Sequence, residues 1–230
     1  MDKHRLCGFF GRSGGKLMGL YEEFKDDAVV ESTFEEWNVR DLLGHISFWW
    51  DYALMKLDSM KNKKPFNEIK NIEKKNQKIY EDNKNVPIET IIAHLKNIYM
   101  PMAWEKKSVV NQYIPFTNKQ LLSKDYPTGF PFELWRYIAR EFFIHPYMHI
   151  LHYYLKKGIY GKFTEMAVSA ETSFMECSDG DMSVFSFKDY YADDTAKAAV
   201  FSKLEEHNKN IDNGLIQKII EINVHDIQPL

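Results

Sequence analysis

The sequence predicts an all-α protein, four long helices followed by a small C-terminal appendage. Two observations carry that reading. Apolar residues recur at helical spacing through about residues 3–26, 39–60, 88–108 and 132–157, and caps, prolines and glycines fall between those stretches, where helices start and stop. The apolar fraction of 44% and aromatic fraction of 15% then supply enough side-chain volume to pack such helices against one another.

The first helix, from Lys3 to Asp26, carries five of the eleven glycines. Gly8, Gly11, Gly15 and Gly19 fall within about 80° of one another on a helical wheel. Glycine is a poor helix former, so this clustering suggests close backbone approach by a neighbouring helix, with room for a ligand or a broken helix as the alternatives. The string GRSGGKL at 11–17 is not a phosphate loop. The first glycine of that motif falls on Phe10, and Leu17 replaces its Ser or Thr.

The second helix starts at Asn38, a good N-cap, with Asp41 placed to complete a capping box, and runs from Val39 to about Met60. The lysine-rich stretch from Lys61 to Asn85 alternates charge sign and reads as a solvated helical face. Pro87 opens the third helix, Ile88 to about Ser108, with a kink expected at Pro101. A short helix at 118–124 and a turn-rich loop at 125–131 lead into the fourth, from about Phe132 to Lys157, stopped by Gly158. In the remaining residues, 174–177 and 182–187 flank Ser-Asp-Gly-Asp as a β-hairpin, followed by helices near 194–208 and 214–223. Strand is expected only in that tail. The organisation is therefore a helical domain over 1–160 and an appendage over 161–230, too short to assume its own core.

A net charge of −3 gives no electrostatic case for nucleic acid. Cys7 and Cys177 form neither a disulfide framework nor a CxxC motif. No apolar run approaches the roughly 18 residues that span a bilayer, and the N-terminus lacks the apolar core of a secretory signal. A soluble, cytoplasmic protein is expected.

The fourth helix holds the chemistry. With His145 as zero, Glu141 lies near about −40°, His149 near +40° and His152 near −20°, among the apolar positions Leu134, Ile138, Phe142 and Met148. Burying four ionisable groups on one stripe needs a joint explanation. An H-x3-H pair brings two imidazoles to one point, as in helical zinc sites. His45, behind Leu42 and Leu43 and on a face with Trp49 and Tyr52, is the natural third ligand. The alternative is a buried histidine network, with His45 donating to a backbone carbonyl. Pro146 directly after His145 predicts a bend or bulge between Phe142 and His149.

Three segments also carry a resemblance: WNVRDLLGHISFWW at 37–50, NQKIYEDNKNVPIETIIAHLKNIY at 76–99 and FELWRYIAREFFIHPYMHILHYYLKKG at 132–158. They resemble the DinB-like (YfiT-like) four-helix-bundle superfamily, closest to its ClbS/DfsB-type branch, over roughly residues 3–160. The resemblance implies an up-down-down-up bundle, often dimeric. It also implies a divalent metal on His45, His145 and His149. Characterised relatives are thiol-dependent transferases and isomerases using bacillithiol or mycothiol, and a cyclopropane hydrolase that gives self-resistance to the toxin colibactin. The tail beyond about residue 161 has no counterpart in that family.

Three imidazoles on Zn, Ni or Fe leave a position open for water or substrate. Glu141 or His152 would then orient or act as general base, and Tyr52 would donate to a developing anion. Trp49, Trp135 and Phe142 would wall the pocket. The expected function is a metal-dependent hydrolase or thiol transferase acting on a small electrophilic or toxic compound. The alternative is a non-enzymatic bundle that binds a small molecule or a partner.

Overall fold

The structure, a computed structural model, describes residues 3–25, 31–32, 35–36, 38–101, 105–113, 137–138, 140–159, 161–163 and 165–166. The described chain is mostly helical. Its elements are α1 (Lys3–Phe24), α2 (Val39–Lys61), α3 (Ile72–Asn83), α4 (Ile88–Tyr99), α5 (Val109–Tyr113), a π-helical turn (Arg140–Ile144) and α6 (His145–Lys156). The expected helix at 118–124, loop at 125–131, tail hairpin and tail helices lie outside the described residues. Glu31–Ser32 and Glu35–Glu36 form an antiparallel ladder two residues long, β1 and β2, between α1 and α2. No strand is expected there from the sequence. A pairing this short leaves no alternating pattern to read.

The chain divides into two compact units, Met1–Pro146 and Tyr147–Leu230. The first is organised around α2, which packs on α1, α3, α4, α5 and the π turn. Leu43, Ile46, Trp50, Ala53 and Leu57 recur every three or four residues along it and are all buried. Trp50 meets Phe10 of α1 at 5.5 Å and Phe142 of the π turn at 5.8 Å, while Phe10 and Phe142 meet edge-on at 5.0 Å. This aromatic cluster fixes the π turn against α1 and α2.

The start of α2 is the capping box read from the sequence. The Asp41 N–H donates to Asn38 Oδ1 at 2.9 Å, and the Asn38 N–H to Asp41 Oδ2 at 3.2 Å. Its end is a Schellman closure. Lys64 N–H donates to the Ser59 carbonyl and Lys63 N–H to the Met60 carbonyl, with Lys63 at φ 52 in the left-handed region. That turn sends residues 64–70 back along α2. Within the lysine-rich stretch α3 forms, solvated on most faces but burying Asn76 and Ile79.

The third helix is shorter than expected. It ends at Tyr99, and the next described helix, α5, begins at Val109. Pro101 breaks the helix rather than kinking it, because it has no N–H to continue the ladder.

The glycine face of α1 is a second correction. No heavy atom lies within 4 Å of a Cβ built at Gly8, Gly11, Gly15 or Gly19 among the described residues. The close approach is at Gly14 instead, where a Cβ would overlap the Tyr99 ring of α4. Gly14 alone of the five faces the core, beside Ser13 and Leu17.

The interruption predicted by Pro146 is present as the π turn, displaced to the N-terminal side of the proline. The proline ring crowds the carbonyl one turn earlier, at Phe142, so the distortion collects there. In the second unit α6 ends as expected at Gly158, with φ 69, and Ile159 N–H donates to the Tyr154 carbonyl at 2.9 Å. Among the described residues, no helix is long and apolar enough to cross a membrane.

Candidate metal centre

His45, Trp49, Tyr52 and Lys56 share the face of α2 that adjoins its core face. His145 is the first residue of α6, and His149 stands one turn further along the same helix. His45, His145 and His149 each offer a ring nitrogen, and these atoms all lie within 4.8 Å of one another. The sequence-predicted triad therefore converges. His45 is 2% exposed, whereas His145 and His149 are partly exposed.

The nitrogen spacing fits a metal. Two imidazole nitrogens bound at the usual distance to one tetrahedral zinc stand about 3.3 Å apart. His45 Nε2 and His145 Nε2 are 3.3 Å apart, with their rings crossed at 82°. The protonation states fit as well. Burial first, and the neighbouring His145 second, hold His45 well below the ordinary histidine value of 6.5. Burial first, and the Arg140 guanidinium second, bring His145 down to about 4. Both imidazoles are neutral at pH 7, the form that ligates a metal.

The other candidate residues fall into different settings. Glu141 lies on the π turn, its main-chain carbonyl accepting from Trp50 Nε1 at 3.1 Å. Burial raises its carboxyl above the ordinary carboxylate value, against the opposing pull of Arg140 and Lys56. Tyr52 donates its hydroxyl proton to Glu68 Oε2 at 2.7 Å and accepts the Ile69 N–H at 3.1 Å. Burial first, with Glu68 and Glu141 contributing, pushes Tyr52 up to about 12. It stays protonated at neutral pH, with that proton engaged by Glu68. His152 lies on α6, its side chain outside the described set, and Trp135 is likewise outside the described residues. Phe142 is fully buried in the aromatic cluster against Phe10 and Trp50, so it belongs to the core rather than to a pocket wall.

Sequence reasoning missed Lys56, Glu68 and Asn76. Lys56 pairs with Glu68 at 2.6 Å, and its ammonium lies 5.9 Å from the Phe66 ring and 5.7 Å from the Tyr137 ring. Lys56 is one turn beyond Tyr52 on the His45 face, a signal that periodicity could have supplied. Glu68 reaches Tyr52 and Lys56 because the Lys63 turn folds its segment back, which no pattern in residues 61–85 announces. Asn76 accepts from Trp49 Nε1 at 3.0 Å.

Comparison with family models, with curated proteins and with solved structures returns no match for this chain. What the structure defines is a helical protein with three histidines placed to hold a metal ion.

Proposed function

We propose that this protein is a divalent-metal-dependent enzyme, a hydrolase or a bacillithiol- or mycothiol-type transferase, acting on a small electrophilic or toxic compound. The observation that carries the reading is the convergence of three histidine nitrogens from two helices, with two of the three histidines partly exposed. The finer fold reading, an up-down-down-up bundle of the DinB-like superfamily that pairs as a homodimer, rests on the segment resemblance in α2, α3–α4 and the last helix.

His45, His145 and His149 would hold a divalent cation, which when bound would supply Lewis acidity to activate a water or a thiol near neutral pH. The chain's own residues then divide the remaining work. His45 and His145, kept neutral by burial, hold the ligand positions without competing protonation near pH 7. Glu141, whose carboxyl is poised above the ordinary carboxylate range, takes or returns the proton of the attacking group. Tyr52 can donate to a developing anion by turning its O–H away from Glu68, and Lys56 beside Glu68 balances the carboxylate that loses this hydrogen bond. His152 is the other candidate base.

The same 3.3 Å spacing between His45 Nε2 and His145 Nε2 is a hydrogen-bond distance, which supports the second reading, a binding protein with a buried histidine network. A screen of zinc- and nickel-loaded protein with small epoxides, activated esters and alkyl halides, with and without low-molecular-weight thiols, separates the two. Turnover that chelator abolishes and metal restores supports the enzyme. Binding without turnover, unaffected by chelator, supports the second reading.

A further inference from the structure

Beside His45 the same face of α2 carries a continuous run of aromatic rings. The His45 and Trp49 ring centres are 6.2 Å apart, those of Trp49 and Tyr52 5.3 Å, and those of Tyr52 and Phe66 5.0 Å. Trp49, Tyr52 and Phe66 are all partly exposed. The adjacent Trp50, by contrast, is fully buried and serves the core.

The rings are held by polar tethers. Trp49 donates to Asn76 of α3, and Tyr52 is held by Glu68 and the Ile69 N–H. The Trp49 N–H can only donate, so it must face the Asn76 amide oxygen, and the amide cannot be flipped. The Asn76 Nδ2 group is left buried with no hydrogen-bond partner among the described residues, although the side chain is only 2% exposed. An apolar residue would fill that position without the cost of an unsatisfied donor. Its presence is explained by what it does to Trp49, fixing the indole plane. Rings fixed in advance lose no rotamer freedom when a ligand docks, which favours flat, rigid ligands.

We propose that Trp49, Tyr52 and Phe66 form the substrate wall of the histidine site, that this wall takes a planar aromatic or conjugated group of the substrate, and that Asn76 is the positioning residue that orients Trp49. This rests on the metal reading above, and it narrows the substrate class to electrophiles whose reactive centre is attached to a flat unsaturated group. An aliphatic group of equal size buries similar area but forgoes the edge-to-face and offset contacts that aromatic rings make.

The test uses the full chain loaded with Co(II) and three probes: imidazole, 4-phenylimidazole and 4-cyclohexylimidazole. Each binds metal through a ring nitrogen, followed by calorimetry and by the cobalt absorption. The expected result is 4-phenylimidazole binding about threefold or more tighter than 4-cyclohexylimidazole, the size of an aromatic contact. Trp49→Leu should abolish that preference while imidazole and cobalt still bind, which reports that the metal site persists. Asn76→Leu should reduce the preference, and Asn76→Asp, which keeps an acceptor for Trp49, should retain it. Equal affinity for the phenyl and cyclohexyl probes, with imidazole still binding, overturns this proposal alone. Absence of cobalt uptake overturns it together with the metal reading.

Discussion

Ser13 Oγ donates to the carbonyl oxygen of Phe142 at 2.8 Å, joining the middle of α1 to the π turn 129 residues later. Phe142 is the residue whose carbonyl a regular helix would pair with the N–H of residue 146, a proline without one. Trp50 Nε1 treats the neighbouring Glu141 carbonyl in the same way from α2. Two buried donors thus hold open the turn that sets the direction of His145. Ser13→Ala should destabilise the protein by about 1 kcal/mol, the net value of one buried hydrogen bond. Urea denaturation checks it, and an unchanged midpoint would show that the hydroxyl contributes nothing.

The proline itself was legible in the sequence, as was the histidine triad, because H-x3-H spacing and a buried polar stripe are local features of one helix. The partners that satisfy the π turn were not. Ser13 and Trp50 are unremarkable in their own helices and acquire meaning only when α1 and α2 pack against the fourth segment. The glycines of α1 show the same limit. A helical wheel shows which residues share a face but not which face is buried, and so the role of Gly14 was overlooked beside four glycines on another face.

Gly14 and Gly15 make that distinction measurable. A methyl group at Gly14 would overlap the Tyr99 ring, which is buried in contact with Trp50, whereas one at Gly15 meets nothing within 4 Å. Gly14→Ala should cost about 1–3 kcal/mol through overpacking. Gly15→Ala should be neutral or stabilising by up to about 1 kcal/mol through helix propensity. Thermal melts of the two variants should therefore move in opposite directions or differ by several degrees.

Lys63 adopts the left-handed conformation that closes α2 and returns residues 64–70 towards Tyr52. A side chain there costs roughly 1–2 kcal/mol relative to glycine. Lys63→Gly should raise stability by about that amount in the same melts, less the entropy glycine adds to the unfolded chain. No gain, or a loss, would mean that Lys63 contributes a compensating contact.

The histidines fix the sign of the pH dependence. His45 and His145 have folded-state values below the unfolded value of 6.5, His145 at about 4. The unfolded chain therefore binds more protons than the folded one between those limits, and stability falls as pH drops. Metal-free protein should show a melting temperature that is flat with respect to these groups above about pH 7 and declines from about pH 6.5 towards pH 4. His145→Phe should flatten part of that decline. An unchanged profile would show that His145 is protonated in the fold.

The central claim is that His45, His145 and His149 hold one metal ion together. Elemental analysis of protein expressed with ample zinc and nickel tests it most directly, comparing wild type with His45→Ala, His145→Ala and His149→Ala. His94→Ala serves as the control, because His94 pairs with Asp51 at the surface and is not one of the three converging histidines. The account predicts about one equivalent in wild type and in the His94 variant, and none in the other three, since three imidazoles form the minimal open site. Wild-type protein free of metal, or a His145→Ala variant that keeps its equivalent, would contradict it.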